Sequence, residues 1–149
     1  MADVAQAAGL SRQAVYLHFP DRAGLLSALL ARIEADQPPA AIGDAPSARA
    51  ALTVLIARLA GTWPKIWPVV RAAGNDPADP RLASDCRALA QRFRNEGALA
   101  AHLSPSAAAD LLATLLSLAV WKELVMVRGW DSARYKSHIG FLAAGALTH

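Results

Sequence analysis

Proline and glycine fall mostly between stretches whose apolar residues recur at helical spacing, and no stretch sustains the two-residue alternation of a half-buried strand. That pairing restricts the chain to an all-α fold. Ala and Leu, both strong helix formers, dominate the periodic stretches. The expected helices cover about residues 2–8, 12–19, 22–36, 47–61, 64–73, 80–101, 105–127 and 132–147. Asp21 is the expected cap of the third, in which Leu25, Leu26, Leu29, Leu30 and Ile33 share one face. Pro38, Pro39, Gly43 and Pro46 lie close together and mark a linker. The expected organisation is a head over residues 1–36 and a helical domain over residues 37–149.

Composition narrows the class further. Hydrophobic residues are 54% of the 149 and charged residues only 18%, which excludes an intrinsically disordered chain and suggests a covered subunit interface. A single cysteine, Cys86, excludes an intrachain disulfide framework, fits a reducing compartment and reads as a small buried residue. The longest apolar run, between Asp110 and Lys122, falls short of the ~18–20 residues a membrane span needs. No signal peptide follows Met1, so a cytoplasmic protein is expected. The net charge of +3 does not by itself indicate nucleic acid, because residues 1–36 hold three arginines against four acids.

The opening segment carries the functional signal. Residues 2–8 and 12–19 form two short helical patterns separated by Gly9, with Ser11 as the N-cap of the second. Val4, Ala7 and Ala8 share a face of the first; Val15 and Phe19 share a face of the second. Arg12, Gln13 and Tyr16 fall on the opposite face of the second, near its start, where a recognition helix presents donors and acceptors to the major groove. Ser11 and the amides beside it are suited to a phosphate.

The carrying residues are Asp3-Val4-Ala5, Ala8-Gly9-Leu10-Ser11, Tyr16-Leu17-His18-Phe19-Pro20-Asp21-Arg22 and Leu25-Leu26, with a looser match at Gly129-Trp130-Asp131 and Tyr135. In this combination the chain resembles the TetR family of bacterial transcriptional regulators. The resemblance implies a helix-turn-helix head joined to a C-terminal helical domain that binds a ligand and dimerises. It implies phosphate contacts from Tyr16, His18 and Arg22, and a homodimer, in most cases a repressor, on a palindromic double-stranded operator. An effector would shift the spacing of the two heads. Family members carry a further helix ahead of this motif. Its absence before Met1 leads us to expect an incomplete head and weak operator binding by the 149-residue form.

Within the C-terminal domain, Trp63, Trp67, Phe93 and Trp121 are the candidate walls of an apolar effector pocket. The 105–127 stretch is apolar around most of its circumference, and 132–147 combines apolar residues with small ones. Leu111, Leu115, Leu118, Ile139 and Leu142 are therefore the candidate dimer contacts, in a four-helix bundle built from two copies. No catalytic constellation, metal-ligand spacing or cofactor motif is visible, so neither an enzyme nor a bound cofactor is expected. The competing expectation is a small-molecule-binding helical dimer that has lost DNA binding with its first helix.

Overall fold

The computed structural model describes residues 22–36, 42–74 and 79–148. Every regular element among them is helical, in agreement with the all-α reading. The elements are α1 (Arg22–Ala35), α2 (Ala48–Ala73), α3 (Pro80–Asn95), α4 (Pro105–Leu115), α5 (Leu118–Trp121), a π-helical segment (Lys122–Val127) and α6 (Ser132–Leu147).

The chain forms two compact units. One takes in α1 and α2 from Gly61 onward; the other takes in α2 up to Ala60 together with α3 to α6. In the first unit Leu25, Leu26, Trp63, Ile66, Val69 and Val70 are buried. In the second the interior comprises Leu52, Leu55 and Ile56 of α2, Leu82, Cys86, Leu89 and Phe93 of α3, Leu112 and Leu116, and Tyr135, Ile139 and Leu147 of α6. Helix α3 packs on α4, and α4 on α6. The Ile56 side chain lies 3.8 Å from where a Cβ on Gly140 would stand, so α2 and α6 approach closely there.

Three boundaries differ from the periodicity, each for a local reason. Helix α2 runs without interruption from Gly61 to Pro64, where a break was expected, and on through Pro68. An interior proline costs about 3 kcal/mol by removing an amide and crowding the preceding turn. Here both rings lie on the exposed side, while Leu59, Trp63, Ile66 and Val70 of the same helix are buried, and that packing outweighs the two defects. Helix α3 stops at Asn95 rather than near Ala101, because Gly97 takes φ +68° and the chain folds back to place the amides of Ala98 and Leu99 on the Phe93 carbonyl. The expected 105–127 helix breaks after Leu115. Ser117 there accepts the Val120 amide as a new N-cap and donates to the Thr114 carbonyl, so its side chain competes with the helical ladder.

The remaining ends follow the sequence signals. Asp79 caps α3 at Leu82 N with Pro80 in the first turn, Ser104 caps α4 at Ala107 N, and Asp131 caps α6 at Arg134 N.

Candidate functional site

The first turn of α2 is held from outside. Ser47 Oγ accepts the Ala50 amide, and both carboxylate oxygens of Glu96, at the end of α3, lie 2.9–3.0 Å from the Ala48 amide. A carboxylate at a helix N-terminus satisfies an orphan donor and opposes the helix dipole. Arg92 completes the clasp. Its guanidinium donates to Glu96 Oε1, to the Ile42 carbonyl and to the Ala45 carbonyl. The Ala48 amide first, and Arg92 second, hold the Glu96 carboxyl below its ordinary range. The stretch over residues 42–48 that leads into α2 is thus fixed to the end of α3.

The C-terminal hairpin, from α4 to α6 over residues 105–147, leaves several large apolar side chains exposed. Leu111, Met126, Val127, Phe141 and Leu142 are 42–80% exposed, and Phe141 is the most exposed of them. Of the candidate dimer contacts, Leu111 and Leu142 are exposed and Leu115 is half-buried, whereas Leu118 and Ile139 are buried in the interior of the second unit. Phe141, Met126 and Val127 were not singled out from the sequence. A mixed apolar and small pattern on α6 does not reveal which side faces inward; Tyr135, Ile139 and Ala143, four residues apart, are the buried row. At the turn before α6, Trp130 stacks edge-on with His138 at 5.1 Å, and the Arg134 guanidinium lies 4.5 Å above its ring.

The four candidate pocket aromatics divide between the units. Trp63 and Trp67 belong to the first, with Trp63 buried and Trp67 half-buried; Phe93 and Trp121 are buried in the second. Trp63 is 3% exposed, and its indole N–H has no hydrogen-bond partner among the described residues. Two clefts open on the second unit, of about 340 and 510 Å³, and none of the four aromatics lines either. The larger runs beside α6 past Gly140, Phe141 and Gly145. Cys86 is fully buried, and burial first, with Asp85 and Asp79 second, pushes its thiol up to about 12. Among the described residues no group of three side chains could hold a metal ion, and no helix is long and apolar enough to cross a membrane.

Ser11, Arg12, Gln13, Tyr16 and His18 lie outside the described residues, as does the cap expected at Asp21; Arg22 opens α1. For this segment the decisive comparison is with sequence. Residues 1–29 match the family of bacterial regulatory proteins known as the tetR family. Over those residues the chain is similar to that family. A solved structure described as the molecular basis for control of antibiotic production by a bacterial hormone shares the fold, with a TM-score of 0.63 and 23% identity over 99% of this chain and 86% of that one. Among curated proteins, none matches. The TetR match ends within α1, so everything beyond residue 29 rests on the fold and on the residues themselves.

Proposed function

We propose that this chain is a member of the TetR family and a ligand-responsive, DNA-binding transcriptional regulator of the cytoplasm, acting as a homodimeric repressor on a palindromic operator. The match at residues 1–29 carries the reading, because it takes in Ser11, Arg12, Gln13, Tyr16, His18 and Arg22. Arg12 and Gln13 read base edges, and the others contact phosphates. The exposed apolar side chains of the hairpin support dimerisation, since an isolated soluble chain seldom leaves a phenylalanine 80% exposed next to a leucine that is 51% exposed. The unsatisfied Trp63 indole supports an effector with a hydrogen-bond acceptor, because a buried donor without a partner costs about 1–3 kcal/mol. The hormone-controlled neighbour is consistent with a small diffusible effector.

The test is operator selection from random duplexes, followed by binding measured with and without candidate effectors. Arg12→Ala and Gln13→Ala are expected to relax sequence preference by ~1–3 kcal/mol per contact, measured in a chain extended by an N-terminal family helix. Tyr16→Phe and Arg22→Ala are expected to weaken all sequences alike and to flatten the salt dependence. An unchanged preferred sequence in the Arg12 and Gln13 variants would remove the recognition-helix assignment.

A further inference from the structure

The smaller cleft, of about 340 Å³, lies where the Ile42–Gly43 turn, α2 at Arg58 and one face of α3 meet. Arg58, Arg81 and Arg92 line it, with Asp85 as the one carboxylate in the lining and Ala88 and Leu89 beside them. Two of the guanidiniums are already positioned. The Arg58 side chain is only 10% exposed and pairs with Asp85, while Arg92 is held by Glu96 and two backbone carbonyls. Arg81 is different: it has no hydrogen-bond or ion-pair partner among the described residues.

Its place in the helix sharpens the point. Arg81 sits in the first turn of α3, where no acidic residue follows the cap and the helix dipole is already positive. The Asp79 carboxylate next to it is engaged at the Leu82 amide. Asp85 answers Arg58 and Glu96 answers Arg92, so of the three guanidiniums Arg81 alone keeps its donors open among the described residues. The remaining lining (Ile42, Ala88 and Leu89) is apolar. A planar guanidinium fork with open donors beside an apolar lining matches a carboxylate on a short apolar body.

We propose that this cleft binds a small organic monocarboxylate, its carboxylate on Arg81 and its short apolar body against Ile42, Ala88 and Leu89. The site is separate from the aromatic residues considered for the effector and does not depend on DNA binding. A ligand there joins the turn that precedes α2 to the outer face of α3.

The experiment titrates the full 149-residue chain with hexanoate, hexanol or inorganic phosphate and follows amide resonances. Hexanoate is expected to give saturable shifts at Gly43, Ala88 and Leu89 with affinity of about millimolar order, as suits a ligand of this size. Hexanol and phosphate are expected to bind at least roughly tenfold more weakly, because each lacks one half of the recognition. Arg81→Gln removes the charge, and Ala88→Phe fills the cleft from an exposed position while leaving the charge in place. Each should weaken hexanoate by roughly tenfold or more with the melting curve unchanged. Hexanoate binding that both variants retain, phosphate binding equal to hexanoate, or no shift at these amides would each overturn the proposal.

Discussion

Helix α3 and the C-terminal hairpin cover the same interior and finish their outer faces in opposite ways. Helix α3 buries Leu82, Cys86, Leu89, Ala90 and Phe93 and turns Arg87, Gln91, Arg94 and Asn95 to solvent. The hairpin buries Leu112, Tyr135 and Ile139 and then presents Phe141, Leu142, Met126, Val127 and Leu111 as well. A helix with one apolar stripe needs one neighbour; a helix with two needs a second. The difference separates residues that hold the protomer from residues available to a partner. Ile139 and Leu142, three positions apart on α6, fall on the two sides of that line.

Substitutions along α6 test this separation most strongly. Ile139→Ala removes a side chain that is 1% exposed and is expected to destabilise the protomer by about 2–5 kcal/mol in urea unfolding. Phe141→Asp should do something else: leave the helical circular dichroism intact and give a monomer by sedimentation velocity, as loss of an aromatic interface anchor costs about 2 kcal/mol or more of association. An unfolded Phe141→Asp, or a native assembly unaltered by it, would erase the distinction drawn on α6. On the α3 side, Arg92→Ala should cost about 1–2 kcal/mol, less than a fully buried charge would, because the group is partly exposed.

Acid probes the same clasp more gently. The folded Glu96 carboxyl lies below its ordinary value, so its contribution is complete above the ordinary carboxylate range and is lost as pH falls through the lowered value. Glu96→Gln should flatten the acid limb of the stability profile measured by denaturant titration. The smallest effect is expected at Arg87→Ala on the solvent face of α3, within about 0.5 kcal/mol of the parent.

Much of this arrangement was legible before any coordinates. The limits of α1 and α6 and the start of α4 lie within a residue of where helical periodicity places them. What was not legible depended on tertiary context. The prolines of α2 are harmless only because they point outward, and Ser117 breaks a helix only because Thr114 and Val120 lie within its reach. The clasp joins residues about 50 apart in sequence, which no local pattern announces. On the functional side, the head motif was readable because its spacing is local. The grouping of Trp63 and Trp67 apart from Phe93 and Trp121 was not, since aromatic content does not say which unit a helix serves. Arg81 passed as one more surface charge until its neighbours were found to be engaged with one another.

The lone thiol on α3 has a practical use. Cys86 is fully buried and its pKa stands near 12, so at neutral pH the native chain offers a disulfide reagent almost no thiolate and no path to reach it. Labelling therefore waits for α3 to lift from the interior, and its rate counts those openings without any engineered probe. With one cysteine in the sequence the signal has a single origin. A carboxylate that braces α3 against the turn before α2 should slow that clock, and a substitution that loosens the clasp should speed it.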